Sequence, residues 1–120
     1  TELERVLGLA EERGFLLLES DALNGLGTVS RDTGDYKAAL GCFRQSVQIA
    51  QQIGDRFREE RSLRSLAAAY QYLGEYDRAI VHGEEAVGIA RQIGNKMGEG
   101  INLGNCIIGE STIRFGRRPI

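Results

Sequence analysis

Two arginines, Arg61 and Arg64, stand three residues apart in a segment whose apolar residues recur at helical spacing. Residues three apart lie on the same side of a helix, so the two planar guanidinium groups could together clamp a carboxylate or a phosphorylated side chain of a partner. They could instead pair with Glu59 and Glu60 on a solvated face, where each ion pair contributes only about 0–1 kcal/mol. The sequence leaves both interpretations open.

Few residues favour catalysis or metal binding. His82 is the only histidine, so the chain cannot assemble a catalytic triad or a site with several histidine ligands. Cys42 and Cys106 stand far apart without a CxxC pair, and we interpret both as small core residues of a reduced, intracellular protein. No pair of acids is isolated among apolar residues. We therefore expect no enzymatic activity, no metal and no cofactor.

Two further features have weak chemical interpretations. The glycine-rich stretch around Leu103-Gly104-Asn105 resembles a phosphate-binding loop only in composition, because the GxxxxGK pattern and a preceding strand are missing. A weakened helix is the favoured interpretation. Arg114, Arg117 and Arg118 make the end of the chain basic, but no aromatic residues are interleaved as in a nucleic-acid site, so an exposed tail is favoured.

The charge balance and the apolar runs limit the partners further. The chain carries 15 basic and 17 acidic residues, for a net charge of −2, and they are spread along its length. No single-sign field is available to attract nucleic acid or an anionic membrane, and we expect neither as a partner. Apolar runs such as residues 15–18 are much shorter than a membrane span or a signal peptide requires. We expect a cytoplasmic protein.

The elements that position these residues follow a repeat of 40 residues. Gly34-Asp35-Tyr36 returns as Gly74-Glu75-Tyr76, and the Ile-Gly pair at residues 53–54 returns at residues 93–94. Periods of this length are typical of helical solenoids. Within a period the apolar positions follow the i, i+3, i+4, i+7 spacing of an amphipathic helix. A glycine followed by an acid then ends one helix and begins the next, so each period predicts a helical hairpin.

The pattern predicts an all-α superhelix of about six helices, at about 2–13, 16–33, 36–53, 56–73, 76–93 and 96–113. A single hairpin cannot cover its own apolar face, so consecutive hairpins must stack. By phase, residues 1–14 are the second helix of a truncated repeat, 15–54 and 55–94 are two repeats, and 95–120 are the first helix of an incomplete repeat plus a tail. Because the chain starts with Thr1 inside a repeat, we expect a fragment of a larger protein.

The repeat resembles the tetratricopeptide repeat signature. The matching residues are Leu66-Ala67, Tyr70, Gly74, Tyr76, Ala79 and Ala86 in one repeat, and Leu26-Gly27, Gly34, Tyr36, Ala39 and Phe43 in the preceding one. The period of 40 residues and the Ile-Gly-Asp hairpin end are similar to a subclass with longer helices, found in G-protein-signalling modulators and in bacterial STAND-type regulators. The resemblance covers residues 1 to about 106.

The resemblance implies a concave groove, lined by the first helix of each hairpin, that accepts a protein or peptide ligand. The residues that it places in this groove are Asp21, Asn24, Thr28, Arg31, Arg61, Arg64, Ala68 and Gln71. Their continuation in the last helix is Ile101, Gly104 and Ile108.

The last predicted helix has apolar residues but no second helix after it. These residues are Ile101, Leu103, Ile107, Ile108 and Ile113. Repeat arrays usually end in a polar capping helix, and none follows here. Burying one large aliphatic side chain contributes about 1.5–3 kcal/mol, so the uncovered helix favours association. We therefore predict a homodimer through this end, with a further repeat in the full-length protein as the alternative.

These patterns lead to one function and one alternative. The leading hypothesis is a scaffold for protein–protein interaction that binds a partner peptide or helix in the concave groove. The alternative is a sensor or regulatory segment of a multidomain signalling ATPase or transcription regulator. Sequence flanking these 120 residues would distinguish them, because an NTPase module or a helix-turn-helix there would favour the alternative.

Overall fold

A computed structural model describes residues 1–115, which form five α-helices and no strand. The helices are α1 (Glu2–Asp32), α2 (Tyr36–Ile53), α3 (Arg56–Tyr72), α4 (Tyr76–Gln92) and α5 (Lys96–Phe115). The all-α architecture expected from the sequence is confirmed. Arg117 and Arg118 of the basic tail lie outside the described residues.

The four turns between the helices share one construction. Each contains a glycine with a positive φ between 71° and 87°, a backbone conformation that side chains with a Cβ disfavour; these are Gly34, Gly54, Gly74 and Gly94. The residues that follow three of them cap the next helix. Asp35, Asp55 and Asn95 accept a hydrogen bond from the backbone N–H three residues later, at 3.2, 2.9 and 2.9 Å.

The structure corrects the predicted break between helices at about 2–13 and 16–33. Both segments belong to the continuous helix α1, which has 31 residues. The repeat phase places Gly14 level with Gly54 and Gly94, but Phe15 follows it where the other turns have Asp55 and Asn95. A phenylalanine side chain cannot accept the backbone N–H groups that begin a new helix, so the first helix continues. Residues 1–13 are all exposed as a result.

The helices form two unequal layers. Each helix packs against the next one along the chain, and α1 also touches α3, as α3 touches α5. Among the described residues, α2 and α4 do not approach each other. The first helices of successive hairpins are therefore closer together than the second helices. This difference curves the stack so that α1, α3 and α5 line its concave side.

Small residues let the layers approach closely. Gly27 of α1 faces Phe43 of α2, which is fully buried, and a Cβ at Gly27 would lie 2.5 Å from the ring. The aliphatic and aromatic core around this contact is continuous across α2, α3 and α4. Its buried members are Ala39, Leu40, Phe43, Val47, Leu63, Leu66, Ala69, Tyr70, Ala79, Ala86 and Ile89.

A buried polar layer crosses the helices and repeats with the period of the sequence. The Ser46 hydroxyl lies 3.1 Å from that of Ser20 and 2.7 Å from that of Ser62, so it bridges α1 and α3. One period later, Ala86 has no polar group to form such a bridge. Glu60 and Asn102 instead meet directly, the Asn102 amide donating to the Glu60 carboxylate at 2.9 Å. Both are buried, so the layer fixes how the helices align.

Replacing Gly27 by alanine tests the close packing of α1 on α2. We expect Gly27→Ala to lower the free energy of unfolding by about 1–3 kcal/mol, because the new methyl group collides with a ring that has no space to move. Urea denaturation monitored by circular dichroism measures the change. Gly88→Ala is the control, since Gly88 of α4 is exposed with no atom within 4 Å of an added Cβ. It should raise stability by up to about 1 kcal/mol, and equal effects at both positions would contradict the close packing.

Candidate functional site

The eight residues that the sequence places in the groove share an environment. Those at 21, 24, 28 and 31 belong to α1, and those at 61, 64, 68 and 71 belong to α3. All eight are half-buried, as expected for residues between the core and the open surface. On α5, Gly104 is also half-buried, while Ile101 and Ile108 are exposed. The groove assignment itself stays a prediction.

A cluster of charges joins the two helices at one end of this surface. Arg58 donates from Nε and Nη2 to the two carboxylate oxygens of Asp21, at 2.9 Å each. Arg61 donates to Asp21 Oδ1 at 2.6 Å, and Arg58 also donates to Asp55 at 2.8 Å. The Asp21 carboxylate therefore holds two guanidinium groups of the neighbouring helix. Forked pairing of this kind fixes geometry as well as charge.

The ionisation of the cluster reflects this pairing. Hydrogen bonds from Arg58 and then from Arg61 lower the pKa of Asp21 to about 2. Burial raises the pKa of Asp55, but the backbone N–H and guanidinium of Arg58 outweigh burial, so the net pKa of Asp55 is below its ordinary value. The pKa of Arg58 is raised, first by its hydrogen bonds with Asp21 and then by those with Asp55. Asp21, Asp55 and Arg58 are thus ionised at neutral pH.

The two arginines considered for a clamp have different partners. Arg61 binds Asp21 of α1 and neither of the acids beside it in sequence. Arg64 lies 3.4 Å from Glu60, as the pairing alternative predicted. Glu59 pairs with Arg56 at 3.0 Å. The side chains of Arg61 and Arg64 are both about 30% exposed, so each keeps a surface that a partner could reach.

Sequence reasoning missed Arg58 and the buried pair of Glu60 with Asn102. Arg58 lies 37 residues after Asp21, so the exact 40-residue offset that links Asp21 to Arg61 did not identify it. The signal available was helix geometry, because Arg58 and Arg61 are one turn apart and face the same neighbour. Glu60 and Asn102 had no signal, since a fully buried carboxylate is rare and nothing local marks it.

Polar atoms without partners lie beneath the same surface. Within residues 1–115, Asn24 Oδ1 and Arg61 Nε are buried and make no hydrogen bond. Buried polar groups are usually paired, because leaving one unpaired costs about 1–3 kcal/mol. Nearby, Thr28 donates to the Asn24 carbonyl at 3.0 Å, and Gln71 donates to the Asn105 carbonyl of α5 at 2.8 Å. The two unpaired atoms therefore lie beneath this surface, closed to solvent, next to its charged groups.

The apolar residues of α5 predicted for self-association lie on the surface. Their exposed fractions run from 37% for Leu103 to 62% for Ile107, with Ile101, Ile108 and Ile113 between these values. Leu103 and Ile107 line a surface hollow beside α4, and Ile113 lies against the turn between α3 and α4. The homodimer stays a prediction.

The residues considered for chemistry are dispersed. His82 stacks on the ring of Tyr70, with the ring centroids 5.5 Å apart. Cys106 is buried, and burial raises the pKa of its thiol, whereas Cys42 is half-buried. Across the described part of the chain, no three His, Cys, Asp or Glu residues are grouped so as to hold a metal ion. In that same part, no helix combines the length and the apolar character needed to cross a membrane.

Stacked antiparallel helices with a half-buried polar concave surface define an α-helical repeat protein. The family model described as Tetratricopeptide repeat matches residues 18–92, which is more than half of the chain. The chain therefore belongs to the tetratricopeptide repeat family, whose members are non-catalytic scaffolds that generally mediate protein–protein interaction. No curated protein gave a significant match.

The Asp21 cluster predicts how stability depends on acid. The folded pKa of about 2 lies below the ordinary value of 3.8, so the stabilisation is complete above pH 3.8 and is lost as the pH falls toward 2. When the pH falls through this range, we expect the free energy of unfolding of Asp21→Asn to decrease less than that of the wild type. The difference should be about 1 kcal/mol or less, because solvent screens the half-exposed pair. Denaturation at pH 4 and at pH 2 measures the difference.

The control for this experiment is Asp77→Asn. Asp77 is an exposed carboxylate of α4 that makes no ion pair within residues 1–115. Its replacement should leave the acid dependence of stability close to that of the wild type. If Asp21→Asn loses as much stability as the wild type between the two pH values, the cluster does not stabilise the fold.

Proposed function

We propose that the concave surface of α1, α3 and α5 binds an acidic segment of a partner protein. The observation that carries this proposal is an imbalance of accessible charge. Arg31, Arg58, Arg61 and Arg64 each expose between 27% and 31% of their side chains on α1 and α3. Glu60 is fully buried. The carboxylates that pair with the other three arginines stay partly exposed, at 66% for Asp32, 39% for Asp21 and 18% for Asp55. Four accessible guanidinium groups thus face three accessible carboxylates, a small basic excess on a chain whose net charge is −2.

The hydrogen-bonding capacity of these arginines supports an acidic ligand. Arg61 binds Asp21 through Nη2, while its unpaired Nε is buried and not open to a ligand. Arg64 has only the 3.4 Å contact with Glu60 in that range, which is a long hydrogen bond. A guanidinium presents five N–H donors, so both arginines have donors left for a second carboxylate. Charge-assisted bonds of this kind are the stronger ones in proteins.

The fold supports an extended or helical ligand rather than a small molecule. Half-buried residues of α1 and α3 continue along the concave side to Gly104 of α5. The Gln71 side chain that joins α3 to α5 fixes the spacing of these two helices. A peptide lying across three helices could therefore contact the arginines at one end and the apolar Ile101 and Ile108 at the other. We also propose that the chain belongs to the subclass with longer helices that is found in G-protein-signalling modulators and STAND-type regulators.

A titration with labelled peptides tests the proposal. We expect a flexible 15-residue peptide rich in glutamate to bind more tightly than a matched lysine peptide, with affinity falling as salt rises. Arg61→Ala and Arg64→Ala should each weaken binding by about 1–2 kcal/mol, or roughly five- to thirtyfold. Fluorescence anisotropy at 50 mM salt measures the affinity.

Arg78→Ala is the matched control for the arginine variants. Arg78 is an exposed arginine of α4, on the layer opposite the groove, where it pairs with Glu75. Its removal should leave the affinity unchanged. Equal binding of the acidic and basic peptides, or an equal loss in the Arg78 variant, would contradict the proposed site. Circular dichroism of each variant separates loss of binding from loss of folding.

Self-association through α5 is a second candidate, favoured by the exposure of Ile107 and Ile108, which are 62% and 59% accessible. We expect the double variant Ile107→Ser, Ile108→Ser to shift any dimer formed by α5 toward monomer. Burying each isoleucine contributes about 1.5–3 kcal/mol to association, and the serines lose this contribution. Light scattering across a concentration series measures this. An unchanged mass would contradict α5 as the contact.

A further inference from the structure

Helix α1 exposes two apolar stripes that no other part of the described chain covers. One lies in its N-terminal half and consists of Leu3, Val6, Leu7 and Ala10. The other lies in its C-terminal half and consists of Ala22, Leu26 and Val29. We name these the N-terminal stripe and the C-terminal stripe. Large exposed apolar stripes mark surfaces that bind another protein surface.

The internal repeat shows what normally covers the N-terminal stripe. The residues 40 and 80 positions later belong to α2 and α4, the second helices of their hairpins, and all are buried. In α2 they are Phe43, Ser46, Val47 and Ala50, and in α4 they are Gly83, Ala86, Val87 and Ala90. The N-terminal stripe is therefore the packing face of a second helix. It carries side chains suited to burial but has no partner.

The same comparison identifies the C-terminal stripe. Its counterparts are Ser62, Leu66 and Ala69 of α3 and Asn102, Cys106 and Gly109 of α5, all of them buried. These residues face the second helix that precedes them in the chain. Ser62 meets Ser46 of α2 at 2.7 Å, and Cys106 lies 2.8 Å from the position of a Cβ on Gly83 of α4. The C-terminal stripe is thus the face that receives a preceding second helix.

The two stripes are therefore the two halves of one helix–helix contact. Ser46 contacts Ser62, and the residues 40 positions before them are Val6 and Ala22, so the repeat predicts a contact between Val6 and Ala22. Gly83 lies close to Cys106, and the residues 80 positions before them are Leu3 and Leu26, so the repeat also predicts a contact between Leu3 and Leu26. In the other hairpins a glycine turn brings such halves together within one chain. In α1 the helix is continuous through Gly14 and Phe15, so a straight helix cannot fold onto itself.

We propose that two copies of this chain pair along α1, the N-terminal stripe of each covering the C-terminal stripe of the other. Residues 6 and 22 are equally far from residue 14, so the two antiparallel helices cross with a two-fold axis at Gly14. Such a contact is self-complementary and closes as a dimer. Each protomer then receives the helix that continues its own stack, so the new contact repeats the packing of α2 on α3 and of α4 on α5.

The charged residues beside this contact predict a substitution that should strengthen the dimer. In the template contacts, Gln51 donates to Glu59 at 3.2 Å and Arg91 donates to Glu99 at 2.8 Å. The residues one and two periods earlier are Glu11 and Glu19, so the dimer places two carboxylates where the other interfaces have a hydrogen bond or an ion pair. Two symmetric copies of this repulsion weaken the dimer. Glu11→Arg should restore the arrangement seen for Arg91 and tighten dimerisation by about five- to tenfold.

Disulfide trapping tests which chain covers each stripe. Chains carrying only Val6→Cys are mixed with chains carrying only Ala22→Cys, both in a background with Cys42→Ala and Cys106→Ala, so a disulfide between these positions can form only between two chains. We expect a covalent dimer on mild oxidation, seen on a non-reducing gel. A mixture of Val6→Cys with Val81→Cys, which is exposed on α4, is the control and should not cross-link above background.

The double variant Val6→Cys, Ala22→Cys, with both cysteines on one chain, tests whether the disulfide forms within a chain or between two chains. A disulfide within the chain, leaving a monomer, would show that the N-terminal segment folds back at Gly14 and would overturn the proposal. Absence of any cross-link would overturn it as well. Ile107→Ser, Ile108→Ser should leave the cross-link intact, and its loss in that variant would assign the association to α5 instead.

Phe15→Asp tests why the contact forms between chains. Phe15 is 70% exposed, so its replacement removes no core contact, and an aspartate directly after Gly14 would match the turn sequence Gly54-Asp55. We expect a helix end at residue 14, folding of residues 2–13 onto the same chain, and at least a tenfold fall in dimer yield. A dimer that persists unchanged would overturn the proposal, because helix continuity would then not direct the exchange.

Discussion

The structure depends on the inability of an amphipathic helix to cover its own apolar face. Every helix of this chain needs a neighbour, and the repeat supplies one every 20 residues through a glycine with positive φ. Where the turn forms, the neighbour is the next segment of the same chain. Where it does not form, at Gly14, the apolar face stays open, and the same requirement turns the start of α1 into an interaction surface.

Polar contacts determine how the stacked helices align. The hydroxyls of Ser20, Ser46 and Ser62 connect three consecutive helices inside the core. One period later the longer side chains of Glu60 and Asn102 span the place where Ala86 replaces the central serine. Apolar packing tolerates some sliding of helices, whereas buried hydrogen bonds do not, because a displaced polar group loses its partner. The serine cluster and the pair of Glu60 with Asn102 therefore fix the alignment of the stacked helices relative to one another.

Charge on the concave surface has a structural and a recognition aspect. Asp21 holds Arg58 and Arg61 in place, joining α1 to α3 across the groove. The same pairing orders the guanidinium groups before any ligand arrives, which lowers the entropy that binding must overcome. Since the internal carboxylates satisfy only part of the donor capacity of these arginines, structural pairing and recognition of an acidic partner are compatible.

Much of the fold followed from the sequence, and less of the site. The positions of the turns at Gly34, Gly54, Gly74 and Gly94 are readable because a glycine before an acid or amide acts locally. The groove residues are half-buried, and their assignment to a binding groove stays a prediction. The contact of Arg64 with Glu60 was one of the two alternatives, but the partner of Arg61, which is Asp21, did not follow because it lies 40 residues away on another helix. That pairing depends on how far the side chains of α1 and α3 reach toward each other.

The sequence by itself determined the helical repeat, because its period and its turn residues act within one or two helical turns. Only the tertiary structure decided that α1 runs through Gly14, that Arg58 joins Arg61 on Asp21, and that Glu60 is buried against Asn102. Each of these results from competition between alternatives of similar local energy. The choice of one carboxylate rather than another is made only when the neighbouring helices are in place.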